Sequence, residues 1–232
     1  MTPTDQGATL IAEVRRVLAE HADPASAPRM QAYMKSDLPY RGVRLPQVRT
    51  LARTVFAAHP LPDRASWEAT VRELWDTASY REEWYAAIAL TGYRRYAGYQ
   101  DPRVLPLYEH LVVTGAWWDV VDEVATHRVG PLLRRHHDAL APVLRRWAHD
   151  ADRWRRRTAI IAQIGAKTAT DTALLTDCIA PSLGERDFFL RKAVGWALRD
   201  LSKHDPDWVR AYVDAHRDQL SPLSLREATK YL

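Results

Sequence analysis

The chain has 232 residues, of which 47% are hydrophobic and 27% charged, with a formal net charge of +4 and a single cysteine. That length carries a large apolar core in one compact domain or repeat array, and the composition is not that of a disordered chain. It excludes an internal disulfide and a cysteine-only metal site, since Cys178 stands alone, and its longest apolar runs, Ala86–Leu90 and Thr158–Ala166, fall short of the roughly 20 residues that span a bilayer.

From the N-terminus, Met1-Thr2-Pro3-Thr4-Asp5 lacks the basic start and apolar run of a signal peptide, so a cytoplasmic location is expected. Apolar residues then recur at three- and four-residue spacing, as in Leu10, Val14, Val17 and Leu18, and again in Val48, Leu51 and Val55, which predicts helices. A short break, His59-Pro60-Leu61-Pro62-Asp63, separates two of them. Asp101-Pro102, Asp205-Pro206 and Ser221-Pro222 each set a capping side chain before a proline at a helix entrance. Gly115 ends one helix, and Trp117-Trp118 open the next. No long linker interrupts the chain, and one domain over residues 1–232 is expected.

Charge is unevenly placed. Between Arg128 and Arg157 nine arginines face three aspartates, a local +6 that leaves the rest of the chain at −2. A basic stretch on a near-neutral protein is the footprint of a polyanion, usually nucleic acid. Solvation of helix faces is the plainer alternative, and charge alone does not choose between them.

A repeat is visible. Arg157-Thr158-Ala159-Ile160, Arg191-Lys192-Ala193-Val194 and Arg226-Glu227-Ala228-Thr229 share one form at spacings of 34 and 35 residues. Stepping back by a similar interval reaches Asp122, Tyr85 and Arg49 in turn. A period near that length, with two helices per unit, predicts an all-α solenoid in which equivalent positions line one concave surface. Arg49, Tyr85, Asp122, Arg157, Arg191 and Arg226 are therefore expected together, suited to a phosphate backbone or, alternatively, tying each repeat to the next.

Trp118 and Asp122 are four residues apart and project from one helical face, one turn apart. Trp117 is expected to pack in the core. Asp122 is the harder residue to explain, because an ionised carboxylate is seldom buried without a partner or purpose. A second unusual tryptophan, Trp196, follows Gly195; a glycine within a strong helix costs about 1 kcal/mol relative to alanine, so an adjacent helix or a ligand approaches closely there. No nucleophile elbow, Walker loop or dinucleotide fingerprint is present. Adjacent His136 and His137 diverge on a helix and cannot chelate together, Cys178 reads as a small buried apolar residue, and no metal or organic cofactor is implied.

Six stretches carry a resemblance in order along the chain: Met30–Lys35, Gly42–Pro46, Arg72–Asp76, Trp117–Asp122, Arg191–Arg199 and Pro222–Ala228. Together they resemble the AlkD family of bacterial DNA alkylation-repair glycosylases. The resemblance implies a C-shaped superhelix of HEAT-like two-helix repeats whose concave basic groove holds duplex DNA. It implies hydrolysis of the N-glycosidic bond of N3- and N7-alkylated purines to leave an abasic site, with no flipping of the lesion into a tight pocket. The family's catalytic aspartate falls on Asp122 and its sugar-contacting tryptophans on Trp118 and Trp196. Its phosphate-contacting arginine falls on Arg157, and an aromatic touching the DNA backbone falls on Tyr33. Arg44 departs from the family pattern, which has a neutral glutamine there; the added cation either strengthens phosphate binding or sits outside the contact. With Arg49 and Arg191 from the repeat, these make the expected DNA-binding set. Double-stranded DNA containing alkylated purines is the expected partner, with no membrane, and the protein is expected to act as a monomer in the cytoplasm, at the nucleoid.

The residue types suit that chemistry. An alkylated purine is cationic and leaves neutral, so the difficulty lies in the oxocarbenium charge that develops near C1′. A carboxylate aimed there stabilises the transition state more than the ground state. At about 4 Å and an effective dielectric near 20 the attraction is about 4 kcal/mol, roughly three decades of rate. Indole faces favour a developing cation and pack against deoxyribose C–H groups. No lysine lies within the motif, Lys192 being the nearest to Trp196, so hydrolysis by water rather than a Schiff-base lyase reaction is expected. The competing expectation is a non-catalytic HEAT-like module that binds DNA or protein, since fold does not prove function.

Overall fold

The computed structural model describes residues 4–232, and the described residues contain helices and turns but no strand. Met1, Thr2 and Pro3, the start of the stretch expected to lack a signal peptide, lie outside the described residues. The helices gather into two compact units, Met1–Gln100 and Asp101–Leu232.

Met1–Gln100 holds α1 (Asp5–Glu20), α2 (Ala27–Met34), α3 (Leu45–Ala58), α4 (Arg64–Asp76) and α5 (Arg81–Thr91), followed by a tight turn of helix at Arg94–Tyr99. Thr4 and Asp63 cap α1 and α4 by accepting from backbone N–H groups of their first turns. The apolar stripe read in α1 is buried at Leu10, Val14 and Leu18, and that of α3 at Val48 and Val55. α3 packs on α1 and α5, and α4 packs on α1 and α5, around Trp67, Val71, Leu74 and Leu90. Trp75 stacks on Trp84 with ring centroids 4.4 Å apart.

At the start of α5, Glu82 and Glu83 are fully buried. Glu82 Oε1 accepts from the backbone N–H groups of Arg41, Gly42 and Val43 at 3.0, 2.9 and 3.1 Å, and Oε2 accepts from Arg41 N at 3.0 Å. Only glycine fits at position 42, where φ is +88° and a Cβ would lie 2.1 Å from the Asp23 carbonyl. Glu82 thereby fixes the loop that leads into Arg44, the exposed N-cap of α3.

Asp101–Leu232 holds α6 (Leu105–Gly115), α7 (Trp118–Val124), α8 (Gly130–Arg135), α9 (His137–Ala148), α10 (Arg153–Ile161), α11 (Thr172–Ile179), α12 (Phe188–Ser202), α13 (Pro206–Ala215) and α14 (Pro222–Ala228). A π-helical turn, Ala125–Val129, joins α7 to α8. The sequence-read caps are present: Asp205 and Ser221 accept from the first turns of α13 and α14, and Asp101 caps a short 3-10 turn, Pro102–Val104, that feeds α6. Asp152, Asp171 and Asp187 cap α10, α11 and α12 in the same way.

Within this unit α7, α10, α12 and α14 pack in succession, while α9 and α11 lie against α10, and α13 against α12 and α14. The repeat is written into the bonding between units of the array. His137 pairs with Asp171 and Arg153 with Asp187, each 34 residues on; Lys192 pairs with Glu227 and Gly165 N donates to Asp200, each 35 residues on. The basic stretch is largely consumed by such pairing. Arg128 faces Glu123, Arg145 Asp177, Arg153 Asp187, Arg155 Glu109 and Asp150, Arg156 Glu185, and Arg157 Asp122. Arg145, Arg153, Arg156 and Arg157 find their carboxylates about one repeat away, so Arg157, the phased residue among them, ties one repeat to the next, whereas Arg128 pairs locally with Glu123 and Arg155 also with Asp150. Cys178 is buried, as its sequence context implied, and burial pushes its thiol up to about 12.

Candidate active site

The site begins where α6 ends. Ala116 takes the left-handed conformation (φ 41°, ψ 35°) that closes α6, and Trp117 is extended (φ −150°) as N-cap of α7. Trp118 is therefore the first residue of α7, and Asp122 follows one turn later on the same face. Val120, Val121 and Val124 form the buried face of this short helix. Trp117, expected in the core, is half-buried, with its ring centroid 5.4 Å from Phe189 and 6.3 Å from Trp154. Its indole N–H is buried without a hydrogen-bond partner among the described residues. Trp118 and Asp122 are half-buried and keep a path to solvent.

Asp122 is held by Arg157. Arg157 Nε donates to Oδ1 at 2.7 Å and Nη2 to Oδ2 at 2.8 Å, a two-pronged ion pair 35 residues long in sequence. Arg157 Nη1 donates to the Phe189 carbonyl at 2.5 Å, so one guanidinium ties α7, α10 and α12 together. The arginine side chain is 6% exposed and the aspartate side chain 18%. Arg157, expected on a phosphate, thus turns three of its donors inward, drawn by the carboxylate one repeat back. Burial pushes the Asp122 carboxyl above its ordinary value; the hydrogen bonds and charge of Arg157 oppose that, and Asp119 adds to it.

Trp196 lies on α12, half-buried against the apolar cluster of Leu190, Val194 and Leu198. It falls seven residues after Phe189, on the same face of α12 and about 10 Å along the axis. The choice left open at Gly195 is resolved in favour of a neighbouring helix: a Cβ there would lie 2.5 Å from Glu227 Cβ and 3.0 Å from the Ser224 carbonyl, both on α14.

The phased residues sit on successive packed helices. Asp122, Arg157, Arg191 and Arg226 are on α7, α10, α12 and α14, and Arg49 and Tyr85 are on α3 and α5. Arg191 is half-buried, with its Nε buried and unpartnered, while its carbonyl accepts from Ser224 Oγ at 2.9 Å. In Met1–Gln100, Tyr33 is 75% exposed in the last turn of α2, Arg44 is exposed, and Arg49 is half-buried. Sequence reasoning missed the Phe189 carbonyl, Glu227 and Glu82. The spacing of opposite charges one repeat apart, as in Lys192 and Glu227, was the available signal for the second of these.

Residues 14–232 match the family model described as DNA alkylation repair enzyme. Among solved structures, a predicted DNA alkylation repair enzyme from Enterococcus faecalis is 29% identical, with a TM-score of 0.78 over 91% of this chain and 96% of that one. AlkD2 from Streptococcus mutans is 17% identical, with a TM-score of 0.60 over 94% of this chain and 99% of that one. The protein smu.31 from Streptococcus mutans UA159 is 18% identical at a TM-score of 0.58, over 88% of this chain and 96% of that one. At their low identities the last two show the shared helical-repeat fold alone. No curated protein matches significantly. No helix among the described residues is long and apolar enough to cross a membrane.

Proposed function

Because the chain belongs to the DNA alkylation repair enzyme family, we propose that it is a monofunctional DNA glycosylase acting on cationic N3- and N7-alkylated purines in duplex DNA. In this reaction the C1′–N bond breaks and its electron pair passes to the purine, which leaves uncharged. A water oxygen then bonds to C1′ and sheds a proton, leaving an abasic site. The observation that carries the reading is Asp122: a carboxylate held by an arginine at both oxygens yet still 18% exposed, one helical turn from a half-buried indole.

A carboxylate has about four lone-pair positions, and the Arg157 fork occupies two. The others are available to a water or a sugar on the solvent side. The fork also lowers the electrostatic effect expected from an isolated carboxylate. With the oxocarbenium at about 4 Å from the acid and the guanidinium at about 8 Å, an effective dielectric near 20 leaves about 2 kcal/mol of attraction, roughly thirtyfold in rate. Arg157 keeps the acid ionised against its burial and joins α7 to α12, which carries Trp196. Trp118 and Trp196 offer their ring faces to the sugar, so selectivity lies in the base's willingness to leave and no base-shaped pocket is needed. Lys192 Nζ is 2.8 Å from Glu227 Oε1, and an ammonium so engaged supports water as the nucleophile. Tyr33, Arg44, Arg49 and Arg191 are assigned to the DNA backbone in this reading.

One observation favours a second reading. Asp122–Arg157 spans the same 35 residues as Lys192–Glu227, so it also fits a structural tie in a non-catalytic DNA-binding array. Mass spectrometry of bases released from methylated duplex DNA separates the two. The wild type is expected to release 7-methylguanine or 3-methyladenine, and folded Asp122→Asn to release them at least about thirtyfold more slowly. No release by the wild type from any alkylated duplex, with Asp122→Ala binding DNA more tightly, would establish the binding array instead.

A further inference from the structure

The helix that follows the candidate site in the array bears directly on one of its indoles. Three contacts fix α14 against α12. Ser224 Oγ donates to the Arg191 carbonyl at 2.9 Å. Glu227 Cβ sits where any side chain at Gly195 would have to go, 2.5 Å from an ideal Cβ at that position. The Glu227 carboxylate reaches one turn to either side of Gly195, accepting from Lys192 Nζ at 2.8 Å through Oε1 and pairing with Arg199 through Oε2. Its side chain is only 15% exposed.

Lys192, Gly195 and Arg199 are three and four residues apart, so they share one face of α12. Successive residues on a helix differ by about 100° in direction. Trp196 therefore projects from the flank of the face that α14 grips, and rotation of α12 about its axis would swing the indole sideways. A carboxylate bonded a turn before and a turn after a glycine contact resists that rotation at two points, whereas a single contact would act as a pivot.

We infer that Glu227 is a positioning residue for Trp196: it locks the rotation of α12 against α14 and so sets where the indole stands. This rests on the reading of Trp196 as a sugar-facing ring. Glu227 touches neither sugar nor base, and its effect passes through α12.

The test uses the full-length protein labelled with 5-fluorotryptophan, in which nine tryptophans are present and Trp196→Phe assigns one fluorine resonance. In Glu227→Gln the Trp196 resonance is expected to move or broaden while those of Trp67, Trp75 and Trp84 stay in place. Gly195→Ala, which forces the helices apart without changing charge, is expected to move the same resonance. Single-turnover release of 7-methylguanine, measured well below each variant's melting temperature, should fall about tenfold in Glu227→Gln, with affinity for undamaged duplex kept within about twofold. An unmoved Trp196 resonance in both folded variants, or a wild-type release rate where Trp196→Ala is slow, would overturn the inference. Should Trp196→Ala itself release base at the wild-type rate, the catalytic reading of that indole fails, while the fluorine resonance still decides whether Glu227 anchors it.

Discussion

Glu82 in one compact unit and Asp122 in the other are both sheltered carboxylates, and they are satisfied in opposite ways. Glu82 is wholly dry and accepts only from backbone N–H groups of residues 41–43. Its partners carry no net charge, its oxygens face a folded loop, and nothing approaches from outside. Asp122 retains 18% of its side-chain exposure, takes both hydrogen bonds from a charged fork, and stands on a helix whose first residue is a half-buried tryptophan. The first arrangement builds a loop. The second holds a charge at a fixed place with part of its coordination open. Burial alone, therefore, does not separate a structural acid from a chemical one; what remains unfilled around the oxygens does.

The comparison is broken most severely by removing each acid's function in turn. Glu82→Leu would strand three buried N–H groups at about 1–3 kcal/mol each, so a loss of more than about 3 kcal/mol in urea unfolding is expected. Glu82→Gln, which keeps the oxygen that Gly42 and Val43 use, should recover most of it. Arg157→Leu would leave Asp122 without its counter-charge, and breaking a buried pair costs on the order of 3 kcal/mol. The double variant Asp122→Leu with Arg157→Leu should regain much of that stability while releasing no base. Recovery of stability without recovery of release would separate the tie from the chemistry. Equal stability in Arg157→Leu and wild type would show that the fork holds nothing.

The same contrast shows what was legible in the sequence. Asp205 and Ser221 announced their helices because capping is local, and the 35-residue repeat announced an all-helical array because it recurs. Trp117, expected in the core from helical spacing, instead stands just outside α7 as its extended N-cap and is half-buried. Glu82 and Glu83 are acidic residues in a first helical turn whose local pattern does not tell them from solvated ones; Glu82 is held by a loop about 40 residues earlier and Glu83 by Arg15 on α1. The arginines from Arg128 to Arg157 suggest a polyanion when charge is summed along the chain, whereas Arg145, Arg153 and Arg157 find acidic partners about one repeat away. At Arg157 the resemblance implies a phosphate, and the fold adds a fork on Asp122, one repeat back.

A pH series sharpens the difference further. Burial raises the Asp122 carboxyl above its ordinary value, against the pull of Arg157. If the ionised form is the active one, release falls as pH drops through that raised value. Replacing Arg157 with methionine removes the opposing pull, so the acid limb of the release profile should move to higher pH. The sign for stability is the reverse of a paired surface acid: a raised folded value means that the ionised form disfavours folding. The stability deficit of Arg157→Met should accordingly be largest at neutral pH and shrink as pH falls through the raised value. A release profile with the same acid limb in both proteins would assign that limb to another group.

The smallest effect concerns the backbone that delivers Trp118. Ala116 and, in the other unit, Lys35 both close their helices in the left-handed region, at φ 41° and 49°, without the glycine that favours it. An L-residue there costs about 1–2 kcal/mol, and glycine returns part of the gain through the freedom of the unfolded chain, about 0.5–1 kcal/mol. Ala116→Gly and Lys35→Gly should each stabilise by about 0.5 kcal/mol, a rise of about 1–2 °C in melting temperature for a chain of this size. The two gains should add, since the positions share no partner. Trp117 is fixed by Phe189 and Trp154, so relaxing the residue before it should leave base release unchanged in Ala116→Gly. A slower release in that variant, with the stability gain intact, would mean that the strained link at Ala116 and not the packing of Trp117 sets the position of Trp118.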